Sequence, residues 1–317
     1  MFSESQFGFR NSSSTTNAVI SFIKRCLNGI ENGNLVWCRF FYFTKAFDTV
    51  SHVTLLQKLE YYGFSRDSIN FLQSYLSNRY QSVFVDDANK SQYKLVKHGV
   101  PQGSVLGPVF FIIYINDLAS VVCNHSTEPY LFADDLAVNV CGKNLQFLES
   151  QFITLNNRIQ DWCAANYLSL NQSKTCDFKL TLSKTSYSTD ECVKFLGINL
   201  EPGLGWSAHV EHISNKISKG LFILRILRNS ISTDTLIAVY YAYVHSHLSY
   251  GTLLWGNHGS CKKLFILQKR AVRIICGALA RDHCRPYFVE HGILTLPSIY
   301  VLACLMYVRN NINKFSI

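Results

Sequence analysis

Residues 129–140 read PYLFADDLAVNV, and no other stretch constrains the fold as tightly. Two short apolar runs, rich in β-forming side chains, meet at a pair of adjacent aspartates. Runs of this kind joined by turn-forming residues read as a β-hairpin, with Asp134 and Asp135 at its bend. The flanks are apolar enough to require burial, so two like charges stand side by side against a core. A divalent cation relieves their repulsion, because hard carboxylate oxygens suit Mg2+. Two such ions about 3.5–4 Å apart can activate an attacking hydroxyl and stabilise a leaving oxygen in phosphoryl transfer. A solvated turn would also explain the pair, since Asp is favoured in turns.

Around this hairpin the chain alternates helix-like and strand-like segments. Ala18, Val19, Phe22, Ile23 and Cys26 fall at helical spacing in residues 17–31, with Thr15 or Thr16 as the cap. Residues 34–43 predict a buried strand. Helices are expected over 52–62, ending at Gly63, and over 66–77. QSVFVDD and SQYKLVKHG flank a turn and predict a second hairpin. A helix is expected over about 108–120, and a long amphipathic one over 145–166 carrying Leu148, Phe152, Leu155, Ile159 and Trp162. Short strands are expected near 176–182 and 192–199, and mostly helix from about 209 onward. A βαβ-type sheet region followed by helices is an α+β arrangement.

The 317 residues are 48% hydrophobic and 16% charged, which suits a globular chain with a large core and excludes a disordered one. The net charge of +9 is uneven. Residues 1–200 hold 17 Lys and Arg against 16 Asp and Glu, whereas 201–317 hold 13 against 5, giving +1 and +8. A basic third on a near-neutral body suggests a polyanionic partner, nucleic acid being the commonest, although a merely basic surface gives the same count. The 11 cysteines are scattered without a CxxC pair, and Cys276, His283, Cys284 and His291 fit no zinc spacing. Unpaired thiols point to a reducing intracellular compartment, nucleus and cytoplasm. The N-terminus has no apolar signal core. The longest apolar runs, 105–115 and 293–308, are too short or too interrupted to span a bilayer, so no membrane partner is expected.

Residues 98–108, HGVPQGSVLGP, gather Gly99, Pro101, Gly103 and Gly107 in front of a helix. Glycines there let backbone approach a ligand and leave N–H donors free, and Gln102 could bond a sugar or base. A tight loop-to-helix junction explains the pattern as well. The segment is one of an ordered set: QFGFRNSSSTTNAV, FTKAFDTVSH, YLSNRYQSVFV, GVPQGSVLGPVFFIIYINDL, LFADDLAVNV, LSLNQSKT and VKFLGINL. YYAYVHSHLSYGTLLWG, LQKRAVRIICG and PYFVEHGILTLPSIYVLACLMYVRNNINKF follow. Together they resemble the reverse transcriptase of non-LTR, jockey-like (LINE) retrotransposons, over essentially the whole chain.

The resemblance implies a right-hand polymerase of α+β class. Residues 1–200 would be partial fingers and a ferredoxin-like palm, and 201–317 a basic, helical, thumb-like and post-polymerase region. It implies RNA-directed DNA polymerisation by two-metal nucleotidyl transfer, with Mg2+ or Mn2+ as cofactor. The partners would be an RNA template, a DNA primer and deoxynucleoside triphosphates. Asp134 and Asp135 match the catalytic, metal-binding carboxylates of the palm. Phe47 matches the aromatic residue that screens the incoming sugar, and Gln102 and Gly103 the loop lining the nucleotide pocket. Arg10 matches an arginine of the fingers. Lys174 matches a lysine that lies near the pyrophosphate and helps protonate it, although a plain surface lysine fits too. Phe195, Leu196 and Gly197 match the strand that grips the primer terminus.

One position breaks the pattern. The family carries an Asp four residues before the Ala of AFD, and counting back from Ala46 reaches Tyr42. An ordinary phenol, with a pKa of about 10, supplies no anionic oxygen at neutral pH. Asp48 lies six residues further on, about 20 Å along an extended strand and too far to substitute. Its expected role is hydrogen bonding at the loop. Metal positioning and charge neutralisation supply nearly all of the catalysis in phosphoryl transfer, so this copy is expected to be severely impaired or inactive. The resemblance also leads us to expect a fragment, lacking an RPI-type fingers segment and an endonuclease. The alternative is a non-catalytic, nucleic-acid-binding remnant. A maturase-like palm polymerase is disfavoured by HLSYGTLLWG and GILTLPSIY.

Overall fold

The computed structural model describes residues 2–11, 13–86, 89–180 and 192–314. They fall into two compact units, 1–182 and 183–317.

The first unit opens with α1 (Thr15–Glu31) and β1 (Leu35–Tyr42). The cap of α1 is Ser14, one residue before the expected threonines: it is extended, and its hydroxyl accepts from Asn17 N at 3.1 Å. Three helices follow, α2 (Ala46–Thr49), α3 (His52–Tyr61) and α4 (Arg66–Leu76). Next comes an exposed ribbon of β2 (Tyr80–Gln81), β3 (Phe84–Asp86), β4 (Asn89–Lys90) and β5 (Lys94–Leu95). In it β2 pairs with β5 and β3 with β4, as the expected second hairpin requires; its tip, residues 87 and 88, lies outside the described residues. The unit ends with α5 (Leu106–Tyr114), α6 (Leu118–Val122), β6 (Thr127–Phe132), β7 (Asp135–Gly142), α7 (Leu145–Ala165) and β8 (Cys176–Leu180). Residues 181 and 182 of the expected last strand lie outside the described residues.

The sheet order is β6-β7-β1-β8, with every neighbour antiparallel. Both β1 and β6 oppose β7, so they run parallel to each other around it. This is the split β-α-β of a ferredoxin-like sheet. The central strand is apolar almost throughout because both of its faces are covered. Side chains alternate: Cys38 and Phe40 meet α1, with Cys26 Sγ 3.8 Å from Cys38 Sγ and the Phe22 ring 5.6 Å from Phe40. Trp37 and Phe41 turn to the opposite core with α3 to α7, Trp37 lying 4.8 Å from the Phe152 ring. Burying each such ring stabilises by about 1.5–3 kcal/mol.

The single helix expected over 108–120 is two. Lys58 Nζ donates to Tyr114 O at 2.6 Å and to Asp117 Oδ1 at 2.8 Å. Asn116 accepts from Ser3 N at 2.8 Å and donates to Tyr62 Oη at 2.9 Å. The side chains of Asn116 and Asp117 are thus tied to other segments, and the backbone tightens there: Ile115 N still donates to Phe111 O at 3.1 Å, but Asn116 N turns to Ile113 O at 3.3 Å, and the first helix stops.

The second unit begins with β9 (Val193–Phe195) and β10 (Ile198–Leu200). One strand over 192–199 was the expectation, but Leu196 (φ 45°) and Gly197 (φ 80°) reverse the chain between them. Positive φ at both central residues is the signature of a tight hairpin turn. The rest is helical: α8 (Ser207–Leu227), α9 (Thr233–Tyr240), a π-helical turn (Tyr241–His245), α10 (Ser246–Ser249), α11 (Thr252–Trp255), α12 (Cys261–Cys276), α13 (Arg285–Glu290) and α14 (Leu296–Asn310). A buried Gln268 knots it together, donating to Tyr240 Oη and Leu294 O and accepting from Leu296 N, all at 2.8 Å. Among the described residues no helix is long and apolar enough to cross a membrane.

Candidate catalytic site

Asp135 is the first residue of β7, and its Cα partner across the sheet is Tyr42, the last residue of β1. The count back from Ala46 therefore lands beside the carboxylates. Asp134 sits in the β6–β7 turn, and both aspartates are half-buried. Burial pushes the Asp135 carboxyl up to about 6; the Asp134 charge adds to this and the Lys174 ammonium opposes it. Lys174 arrives on a turn whose Asn171 N donates to Tyr42 O at 2.7 Å. Burial first, then Cys176 and Asp135, pushes the Tyr42 phenol up to about 12. Tyr42 is therefore neutral throughout the physiological range. Tyr42, Asp134, Asp135 and Lys174 form one cluster.

Two residues that sequence reasoning did not single out hold the hairpin from behind. The N-terminal segment bridges to β6, with Phe7 N donating to Leu131 O and Leu131 N to Ser5 O, both at 2.8 Å. Gln6, 1% exposed, accepts through Oε1 from Gly8 N at 2.8 Å and from Ala133 N at 3.2 Å. Ala133, immediately before Asp134, has φ 52°, a left-handed conformation that costs a non-glycine residue about 1–2 kcal/mol. Gly8 packs so closely that a Cβ there would collide with Ala133 N. The clue was a lone Gln among apolar neighbours in QFGF. Arg10 belongs to the same segment, its Nη1 donating to Ser3 O at 2.6 Å and Gln6 O at 3.1 Å.

Phe47, Gln102 and Gly103 form a second group. Val100 N donates to Phe47 O and Gly99 N to Val50 O, each at 2.8 Å. Gly99, at φ 87°, lies so close to Asp48 that a Cβ would come within 2.8 Å of its carbonyl. Asp48 Oδ1 accepts from Gln102 Nε2 at 2.8 Å, the loop hydrogen bond expected of it. Phe47 stacks on Phe111, ring centroids 4.2 Å apart. A cleft of about 640 Å3 opens here, lined by Gln102, Asp48, Lys45, His52, Arg79 and His98 among others. Asp134 and Asp135 are not among its lining residues.

Residues 1–200 match the family model described as reverse transcriptase (RNA-dependent DNA polymerase). The chain belongs to the reverse transcriptase family. Its relatives are those of non-LTR retrotransposons. It is 30% identical over 317 residues to a probable RNA-directed DNA polymerase from transposon BS of Drosophila melanogaster, covering 90% of this chain and 33% of the relative. It is 28% identical over 295 residues to the RNA-directed DNA polymerase from mobile element jockey of the same species, covering 86% and 32%. The chain thus spans about a third of the length of these relatives. A solved telomerase of Candida albicans, in complex with a fragment of telomeric RNA, superposes with TM-score 0.52 at 12% identity over 92% of this chain and 55% of its own. That likeness supports the fold, an α+β polymerase palm with a helical region after it.

Reverse transcriptases as a family depend on a divalent metal, and the donor set here can be tested for one. Asp135, with Asp134 beside it, suits a cation, since burial and the neighbouring Asp134 charge disfavour the Asp135 carboxylate without one. Tyr42 does not, because its phenol keeps its proton. Among the described residues no group of three or more His, Cys, Asp or Glu is placed to hold a metal ion. Of the remaining reverse transcriptase positions, Phe195, Leu196 and Gly197 lie in the second unit, where Leu196 and Gly197 form a hairpin turn and not a strand. Tyr250 Oη donates to Leu196 O at 2.5 Å across that turn.

Proposed function

We propose that this chain is the polymerase portion of a non-LTR retrotransposon protein, built to extend a DNA primer on an RNA template with deoxynucleoside triphosphates, and disabled at one metal ligand. The observation that carries this reading is the pairing of Tyr42 with Asp135 across β1 and β7. A residue that should share a cation with Asp135 stands in the right place with the wrong chemistry. Asp134 and Asp135 would hold Mg2+ or Mn2+, which when bound would neutralise charge on the triphosphate. Lys174, brought beside Asp135 by the Asn171 turn, would meet the pyrophosphate. Phe47, held flat on Phe111, would screen the sugar beside Gln102 and Gly103, and Arg10 would steady the triphosphate. Phe195 to Gly197 would meet the primer. The fingers and palm would lie in residues 1–200 and the thumb-like region in 201–317. Among the described residues no two cysteines form a disulfide, which suits a reducing compartment.

Primer extension on an RNA template in Mg2+ tests this, comparing the parent with Tyr42→Asp. The expected result is extension by the variant alone. Extension by the parent would refute the role given to Tyr42. Failure of both would refute a single-ligand defect.

A further inference from the structure

The unit 183–317 contains a cavity of about 750 Å3, walled by α12, the loop 281–284, α13 and the turn into α14. Its floor is apolar: Phe265 and Phe288, with ring centroids 6.4 Å apart, and the buried Ile293. Its rim is basic: Lys269, Arg273, Arg281 and Arg285 line it against one carboxylate, Asp282. That carboxylate is already engaged, accepting from Leu279 N at 2.7 Å. Among the described residues none of the four cations forms an ion pair. Arg273 is held against the wall by its Nε bond to Asp282 O at 3.0 Å, and Lys269 Nζ lies 4.2 Å from the centre of the Phe265 ring.

Four cations against one carboxylate leave the hollow with a net positive charge, and an anion relieves the repulsion. The floor calls for something flat and apolar in the same ligand. The volume lies in the range of roughly 300–1,000 Å3 typical of small-ligand sites. A nucleotide joins both chemistries, and bases stack on aromatic rings and on guanidinium planes. A duplex keeps its bases inside, whereas a single strand can turn one out. We propose that this cavity receives one unstacked base, with its flanking phosphates, of a single-stranded nucleic acid. The choice of nucleic acid among polyanions rests on the polymerase reading; the cavity and its charges do not.

The test is a fluorescence titration of the full chain, in EDTA, with a short single-stranded RNA carrying one 2-aminopurine. Arg281 and Arg285 are exposed, and neither side chain makes a hydrogen bond or ion pair among the described residues, so the double variant Arg281→Ala/Arg285→Ala breaks no such bond of the fold. Single-strand affinity should fall about tenfold, the 2-aminopurine response should vanish, and the slope of log affinity on log salt should drop by about 1.4 for two lost phosphate contacts. Affinity for a blunt duplex of the same sequence should change less than about twofold, since it has no free base to offer. A second variant, Val289→Glu, places a negative charge at a rim side chain that is 74% exposed and should weaken the same single strand. Unchanged single-strand binding in both variants would overturn the proposal, as would equal losses for single strand and duplex. Displacement of the RNA by a phosphopeptide but not by a mononucleotide would also overturn it, in favour of a protein partner. Because the readout needs neither metal nor catalysis, a chain that never extends a primer can still pass. A Tyr42→Asp enzyme that extends but does not bind fails only here.

Discussion

The contrast at position 42 is between a group that is charged at neutral pH and one that is not. A carboxylate facing Asp135 would add a full negative charge to the cluster, while the phenol, pushed up to about 12, adds none. Tyr42→Phe should therefore leave Mn2+ affinity within about twofold, whereas Tyr42→Asp should raise it at least about tenfold, because one added charge at about 4 Å in a partly buried site is worth several kcal/mol. Electron paramagnetic resonance of free and bound Mn2+ separates these outcomes, and a tyrosine that already binds as well as aspartate would refute the argument. Tyr42 was legible through the family resemblance, which expects an Asp at a fixed, countable distance before Ala46. Gln6 was not, because its role exists only once Ser5–Phe7 lies beside Leu131, a pairing that no local periodicity encodes. Gln6→Leu strips Ala133 N and Gly8 N of their acceptor and should cost about 1–3 kcal/mol in urea unfolding. Hydrogen exchange at the Ala133 amide should accelerate, and Gln6→Glu, which keeps the oxygen, should restore much of its protection. An Ala133 amide that exchanges equally in all three proteins would show that Gln6 does not hold the hairpin.

Elements with a strong internal period were readable in advance: α1, α7, the central strand and the β6–β7 hairpin all stand where apolar spacing put them. The two misreadings have different physical causes. Residues 106–122 are apolar enough for one helix, yet Lys58, Ser3 and Tyr62 draw Tyr114, Asn116 and Asp117 into hydrogen bonds with other segments, and propensity yields to them. Residues 192–199 alternate well enough for one strand, yet Leu196 and Gly197 adopt positive φ and fold it in half. The second case gives a measurable consequence. Gly197 is at φ 80°, and a Cβ there would lie 3.2 Å from the Tyr250 ring. Gly197→Ala should destabilise the hairpin by about 1–2 kcal/mol, seen as a lower urea midpoint with an unchanged slope. A midpoint at or above the parent's would mean that the turn relaxes freely.

Acidification treats the two units differently. In the second unit His209 is buried beside Trp206 and Trp255, its Nδ1 accepting from Asn199 N at 3.3 Å. Burial, with a smaller contribution from His212, pushes it down to about 4. His212, His245 and His247 are lowered in the same direction, each first by burial. A depressed histidine binds its proton more readily when unfolded, so its contribution to stability is present above the unfolded value of about 6.5 and is lost as pH falls toward 4. For His209 the loss amounts to about 3 kcal/mol across that window. In the first unit Asp135 has the opposite sign. Its folded value of about 6 lies above the ordinary carboxyl value, so the folded state holds the proton more tightly and its contribution improves as pH falls through 6. In metal-free buffer the second unit should therefore lose stability relative to the first between pH 7 and pH 5. Pulse proteolysis in urea, with fragments assigned by mass, should show cleavage in residues 192–314 advancing to lower urea at pH 5. His209→Asn keeps an acceptor for Asn199 N but removes the titration, so it should shrink that shift. A shift of equal size in both units, or one that His209→Asn leaves untouched, would locate the acid sensitivity elsewhere.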